Sequence, residues 1–198
     1  MKYLAVVVAA LLFVAANPIK AAPACGTTPT QWTGYIYEIS FEDAKLALRM
    51  SEANYDRNAK KLKISDVVAQ ESAQKTITLL DYSTGSSYTS IEGQCTKGNV
   101  TGDIPNFGVP AGSTSNPSGA EYLGSSLPNL GVLAYDYYGT NSVDGDYFAT
   151  YTPIGDGSVC VPILRATLTA SPLKEAVFKY TNITTTLPSD PFSMPPGC

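Results

Sequence analysis

The chain has 198 residues, with 17 acidic and 13 basic side chains, no histidine and a formal net charge of −4. An acidic chain repels nucleic acid and anionic membrane surfaces, which argues against both as partners. The lack of histidine excludes the catalytic triads and dyads that use a histidine base. The composition therefore favours a protein that is not an enzyme.

Residues 1–24 have the pattern of an export signal. Lys2 precedes the apolar run Tyr3–Ala16, and Ala22-Pro23-Ala24 offers a small-x-small cleavage site. The apolar run is shorter than the roughly 20 residues that span a bilayer. We therefore predict cleavage of the signal, no transmembrane segment, and a secreted, extracellular protein with a single domain at 25–198. Loss of the two lysines in the signal takes the net charge from −4 to −6.

Four cysteines lie in the predicted mature part of the chain: Cys25, Cys95, Cys160 and Cys198. An even number of cysteines in an exported chain predicts two disulfides. Cys25 and Cys198 stand at the two ends, so we expect each bridge to tie one terminus to the interior. The spacing leaves all three pairings open.

The first elements alternate large apolar and polar residues with the period of a β-strand. An aromatic and β-branched strand is predicted over 31–40. Beyond it, one face of a second strand and its continuation after a turn at 55–59 are predicted to be buried. The apolar residues of that face are Leu46, Leu48, Met50, Leu62 and Ile64.

A central hairpin is predicted over Ile77–Cys95. Its first arm places Leu80 and Tyr82 on one face, its turn is Ser83-Thr84-Gly85-Ser86, and Cys95 ends its second arm. If the apolar faces of this hairpin and the preceding strands line a cavity, the lining residues are Leu46, Leu48, Met50, Leu62, Ile64, Leu80 and Tyr82. The same side chains can instead fill a closed core.

The C-terminal half continues with strands and one long connection. The segment 100–119 is rich in Gly, Pro, Ser, Thr and Asn and is predicted to be a loop. A hairpin over 130–138 and 145–153 follows, then strands at 159–168 and 176–180, and a proline-rich irregular tail. Because strand follows strand through short turns, the predicted fold class is mainly β and antiparallel.

Two kinds of polar site are readable in the loops. Asn99 and Asn182 begin N-x-Thr sequons and are predicted to carry glycans in an exported chain. Asp144 and Asp146 lie in an oxygen-rich loop without the spacing of an EF-hand. That loop is either a turn that favours Asn, Asp and Gly or a weak calcium site; no other cofactor is predicted.

Scattered marks along the mature chain resemble the ependymin family. They include Tyr55-Asp56, Leu79-Leu80-Asp81-Tyr82, Gly145-Asp146-Tyr147, Cys160-Val161-Pro162-Ile163 and Pro195-Pro196-Gly197-Cys198. The resemblance implies two antiparallel sheets that form a half-open barrel around an apolar pocket, similar to bacterial lipoprotein-carrier domains. It also implies disulfides Cys25–Cys160 and Cys95–Cys198, glycosylation, calcium association and a homodimer.

Taken with this resemblance, the sequence predicts a secreted glycoprotein of extracellular matrix or body fluid. Its expected ligand is a hydrophobic small molecule bound in the apolar pocket, with calcium as an optional cofactor and matrix components as partners. The alternative is a structural or adhesive, calcium-associated matrix protein without a ligand pocket. A more remote alternative is a glycan-acting enzyme that uses a carboxylate pair.

Overall fold

The computed structural model describes residue 25 and the ranges 28–42, 45–69, 74–124, 131–141, 145–154, 158–170 and 173–198. The predicted signal at 1–24 lies outside these ranges. Within them, eleven β-strands form one sheet. The strands are β1 (Gln31–Glu42), β2 (Lys45–Asp56), β3 (Lys61–Ala69), β4 (Thr76–Asp81), β5 (Ser86–Ile91), β6 (Gln94–Asn99), β7 (Thr114–Leu123), β8 (Val132–Asn141), β9 (Gly145–Ile154), β10 (Val159–Ala170) and β11 (Leu173–Thr184).

The strand order across the sheet is β6-β5-β4-β3-β2-β1-β11-β10-β9-β8-β7. Two antiparallel meanders, β1–β6 and β7–β11, are joined where β1 pairs with β11, as in Ile36 opposite Tyr180. The prediction of a mainly β, antiparallel fold is confirmed. The two separate sheets implied by the resemblance are not seen among the described strands, because the β1–β11 ladder makes the two meanders continuous.

One face of the β1–β6 meander carries an aromatic core cluster. Trp32, Tyr55 and Leu62 are buried there, and they are directly opposed in register across β1, β2 and β3. Phe107, from the segment between β6 and β7, lies edge-on to Trp32 at 5.1 Å and to Tyr55 at 5.2 Å between ring centroids. We call this covered side the inner face of the sheet.

A second core cluster lies on the β7–β11 side and touches the same connecting segment. Tyr137 and Tyr151 are buried with Cys25 and Cys160, and Val109 packs against them. The Tyr151 hydroxyl donates a hydrogen bond to the carbonyl of Gly108 at 3.1 Å, while the Tyr55 hydroxyl donates one to the carbonyl of Pro105 at 3.1 Å. The segment 104–109 therefore bridges the cores of both meanders.

The C-terminal tail covers part of the opposite side, which we call the outer face. Because neighbouring residues of a strand point to opposite faces, Lys63 lies on the outer face beside the inner Leu62. The Lys63 ammonium donates to the carbonyl and to the hydroxyl of Ser193, both at 2.8 Å. The Ser90 hydroxyl donates to the carbonyl of Pro196 at 2.7 Å, and Pro195 is buried. The irregular tail is thus fastened across β3–β5.

The two disulfides join Cys25 to Cys160 and Cys95 to Cys198, which are the two pairs that the resemblance implies. Cys95 lies inside β6 and not at the end of the second arm of the central hairpin. The Glu92-Gly93 pair between β5 and β6 has positive φ at both residues, 50° and 85°, which is the requirement of a two-residue hairpin turn. The predicted hairpin is therefore three strands.

Two further predictions about elements were wrong in part. The predicted loop 100–119 ends earlier, because β7 begins at Thr114. Pro117 is tolerated within β7 because that strand is at the edge of the sheet and has a free side. The strand predicted at 176–180 is the centre of the longer β11.

The predicted buried face of β2 was also wrong. Leu46 and Leu48 are 57% and 48% exposed, whereas Ser51, Ala53 and Tyr55, on the other face, are buried. The period of two was correct, but the covering segment 104–109 packs on the opposite side from the one expected. Among the residues that the structure describes, no helix has the length and hydrophobicity needed to cross a membrane.

Candidate functional site

A row of charged and aromatic side chains crosses the inner face on four adjacent strands. Arg49 of β2 is opposite Glu38 of β1, Glu38 is opposite Phe178 of β11, and Phe178 is opposite Arg165 of β10. Since directly opposed residues point to the same face, these four side chains project together. They line a cavity of about 280 Å³ that Phe107 borders from the connecting segment.

Arg49 is held in place by the buried carboxylate of Asp66. Its Nε and Nη2 atoms donate to the two carboxylate oxygens at 2.5 and 2.9 Å, and the Ser51 hydroxyl donates to the first of them at 2.9 Å. The hydrogen bond to Asp66 raises the pKa of Arg49. Burial acts to raise the pKa of Asp66, but the hydrogen bonds from Arg49 and Ser51 outweigh it, so this pKa is lowered.

Phe178 stands between an acid and a base in this row. Its ring offers an apolar face, while the Glu38 carboxylate accepts hydrogen bonds and the Arg165 guanidinium donates them in a planar fork. Such an arrangement suits a small ligand with one apolar face and a rim of hydroxyl groups. Asp66 is already occupied by Arg49, Ser51 and the backbone N–H of Thr76. Among the described lining residues, Glu38 is thus the carboxylate that faces the cavity.

A second, more apolar cavity of about 390 Å³ lies where β9 and β10 separate. Within the described parts of these strands, Pro162 pairs with Tyr151 and Leu168 pairs with Gly145, and the residues between them form no ladder pairs. The walls include Tyr147, Phe148, Ala166, Leu168 and Val177. This cavity suits an apolar guest better than a polar one.

The structure does not bring the seven predicted pocket residues together. Ile64 lines the 280 Å³ cavity, whereas Leu62 and Leu80 pack in the Trp32 core cluster. Tyr82 lies in the turn after β4, where burial raises its pKa. The remaining three, Leu46, Leu48 and Met50, lie on the outer face. The prediction that all seven line one cavity was wrong, since it assumed the opposite covered face for β2.

The predicted polar sites lie on the surface. Asn99, the last residue of β6, and Asn182, in β11, are both exposed, and their glycosylation stays a prediction. Asp144 is outside the described residues. Asp146 is exposed and accepts a hydrogen bond from the Thr140 hydroxyl at 2.6 Å. The described residues contain no cluster of three or more acidic or cysteine ligands for a metal, and calcium binding stays a prediction.

Sequence reasoning missed Glu38, Phe178 and Arg165. Glu38 is a single charge inside the aromatic run of β1, and Arg165 is a single charge inside the apolar β10. A lone charged residue in a central strand is costly unless it has a polar partner or a polar cavity beside it. That cost is the signal that could have identified these two residues.

Comparison with known proteins gives two curated relatives and a structural neighbour. No protein-family model matches the chain. The beta chain of halilectin 3 from Haliclona caerulea is 39% identical over 118 residues, which are 60% of this chain and 98% of that one. The alpha chain of halilectin 3 from the same organism is 32% identical over 148 residues, covering 74% and 96%.

The solved structure is an uncharacterized conserved protein from Thermus thermophilus. It shares 10% identity with this chain and has a TM-score of 0.54, with 85% of this chain and 86% of that chain covered. At this identity the likeness concerns the fold alone. Both halilectin 3 chains, in contrast, are matched over nearly their whole length at more than 30% identity. The chain therefore belongs to the family of the halilectin 3 chains.

Proposed function

We propose that the chain is a secreted carbohydrate-binding protein and that its binding site is the inner-face cavity beside Phe178. The observation that carries this proposal is the row in which Phe178 stands between Glu38 and Arg165. Both relatives bear the name of a lectin, which supports the same class of ligand.

The chemistry of the row matches that of a sugar ring. The C–H face of a pyranose packs on the Phe178 ring, while adjacent hydroxyls donate to the Glu38 carboxylate and accept from the Arg165 guanidinium. The volume of about 280 Å³ is near the lower end for small-molecule sites, roughly 300–1,000 Å³. We therefore expect one terminal sugar to enter the cavity.

The same arrangement favours binding over hydrolysis. Glycoside cleavage generally requires two carboxyl groups on either side of the bond. Glu38 faces the cavity, but Asp66 is engaged by a bidentate arginine and a lowered pKa. A carboxyl group of that kind is a poor general acid, so the protein is proposed to bind glycans without cutting them.

The test is a glycan array followed by calorimetric titration of the best ligand. Glu38→Gln and Phe178→Ala should each weaken binding at least about tenfold, since each removes a contact worth ~1.4 kcal/mol or more. Ile39→Ala is the matched control, because Ile39 neighbours Glu38 but points to the outer face. An array with no retained glycan, or undiminished binding by both inner-face variants, would contradict the proposal.

A hydrophobic ligand is a second candidate, favoured by the apolar cavity between β9 and β10. Ala166→Trp would fill that cavity and should abolish uptake of a fluorescent fatty acid while leaving glycan binding unchanged. If the unmodified protein takes up no such probe at micromolar concentration, this candidate fails. Membership of the ependymin family, a matrix or body-fluid role and calcium association remain proposals on the sequence marks.

A further inference from the structure

The outer face carries a broad apolar surface on the four central strands. Leu48 of β2, Ile39 of β1, Val177 of β11 and Ala166 of β10 form one row of directly opposed residues. A parallel row on each side continues the surface, so that three rows cross four strands. We call these three rows the outer apolar block.

The apolar block is open to solvent in the single chain. Its large apolar members have between 36% and 57% of their surface exposed, among them Tyr37, Phe41 and Leu46. The C-terminal tail covers the outer face over β3–β5 through Lys63 and Ser90, and the block lies beyond this cover. With strands about 4.8 Å apart and residues about 3.4 Å apart, the block measures on the order of 400 Å².

A patch of this size needs a partner. The largest apolar patch of an ordinary monomer is ~300–600 Å² and often functional. A stable interface buries roughly 800 Å² on each partner, with an apolar core and a polar rim. The block therefore has the area of an interface core, to which the surrounding polar residues would add the rim.

The charges within the block indicate which partner fits. In β11, Glu175 and Lys179 stand two residues on either side of Val177, and all three point to the outer face. Both charged side chains are exposed. A partner must therefore present a base opposite Glu175, an acid opposite Lys179 and an apolar residue between them. This chain presents that pattern when its own strand direction is reversed.

We infer that the outer apolar block binds a second copy of this chain, face to face. The two-fold axis lies in the plane of the interface and crosses β11 at Val177. Under this symmetry Val177 meets the second copy's Val177, and Glu175 meets the second copy's Lys179 in two equivalent ion pairs. The middle row faces itself, and the Phe41 row faces the Tyr37 row. Two twisted sheets pack in this aligned way at about 10 Å.

The first test is sedimentation velocity of the enzymatically deglycosylated protein from 1 to about 100 µM. The unmodified protein should be a dimer at the upper end, and Ile39→Lys should be a monomer there. Lys60→Glu is the control, since Lys60 is exposed in the turn between β2 and β3, away from the block. Both variants should keep glycan binding by the inner face, because that site uses the opposite sides of the strands.

The second test reverses the charges and fixes the orientation. Lys179→Glu alone would set glutamates against each other, and we expect the dissociation constant to rise at least about tenfold. Adding Glu175→Lys restores opposite charges under the two-fold arrangement and should restore the dimer. Recovery in the double variant would not occur if the block bound an unrelated protein or a lipid.

Three results would overturn the inference. One is an unmodified protein that stays monomeric across the whole concentration range, including one that instead binds detergent micelles through the block. Another is a dimer that survives Ile39→Lys. The last is a double charge reversal that dissociates as fully as Lys179→Glu. None of these outcomes depends on whether the inner cavity binds a sugar, which the glycan titration reports separately.

Discussion

The four central strands of the sheet have two faces of very different character. On the inner face, Arg49, Glu38, Phe178 and Arg165 line a small cavity beside the connecting segment 104–109. On the outer face, the alternate residues of the same strands are apolar and exposed. Polar residues thus lie on the covered side and apolar residues on the uncovered side, the reverse of an ordinary monomer.

The comparison shows that alternation assigns residues to faces without telling what covers each face. The inner face is covered because Phe107 and Ile104 pack on it. The outer face is covered only as far as the tail reaches, near Ser193 and Pro196. Inversion of the usual polarity is expected at a ligand site on one side and at a contact surface on the other.

The largest expected effect is the loss of an inner-face anchor. Trp32 is 1% exposed and packs between Tyr55 and Phe107, so Trp32→Ala should lower the free energy of unfolding by about 3–5 kcal/mol. Ile39→Ala, seven residues along the same strand on the outer face, should change it by less than about 0.5 kcal/mol at a dilution where the chain is monomeric. Urea unfolding of both variants checks this, and equal losses would refute the distinction between the faces.

Release of the tail should extend the uncovered part of the outer face. Cys198→Ser opens a disulfide that spans 103 residues of sequence and should cost about 2–5 kcal/mol. The sheet should stay folded, and Cys95 should react with iodoacetamide under native conditions. A non-reducing peptide map of the unmodified protein is the control, and a linked Cys25–Cys95 fragment would contradict the pairing.

The Arg49–Asp66 pair makes the inner face sensitive to acid. The pKa of Asp66 is lowered in the folded state, so its contribution to stability is present above the unfolded value of about 3.9 and is lost as the pH falls through the lower folded value. Asp66→Asn should cost about 2 kcal/mol at pH 7 and much less near pH 2. Unfolding midpoints at both pH values provide the measurement, and a constant difference would be against this origin.

The smallest effect is expected at the edge of the sheet. The neighbouring Asp136 carboxylate raises the pKa of Glu121, so the folded chain loses stability as the pH rises from about 4.3 through the raised value. Glu121→Gln removes this repulsion and should raise the melting temperature by about 1–2 °C at pH 7, but not at pH 3. Calorimetry at the two pH values tests the sign, and a lower melting temperature at pH 7 would contradict it.

Local patterns predicted much of the strand content but not the neighbours of each strand. Alternation located β1, β8 and β9, and the two sequence ends correctly suggested cysteines that tie termini to the interior. The Glu92-Gly93 turn was overlooked, although its glycine follows a strand directly. β7 was hidden because its glycines, serines and Pro117 are typical of loops, and only its edge position makes them compatible with a strand.

The candidate site was harder to predict because it depends on register between distant segments. Glu38, Phe178 and Arg165 become neighbours only when β1 pairs with β11 and β11 pairs with β10. No local period in the sequence specifies which strand pairs with β1. The choice between the faces of β2 was equally hidden, because it depends on where the segment 104–109 packs.

The central position of the β1–β11 ladder has a consequence for biosynthesis. Every other ladder joins strands that follow each other in sequence, so each can close a short loop soon after it leaves the ribosome. The β1–β11 ladder closes a loop of most of the chain, and its entropy cost must be met last. Until β11 emerges, β1 is an open edge with Tyr37, Ile39 and Phe41 beside it, a hazard for aggregation. The nascent chain thus depends most on chaperones shortly before its synthesis ends.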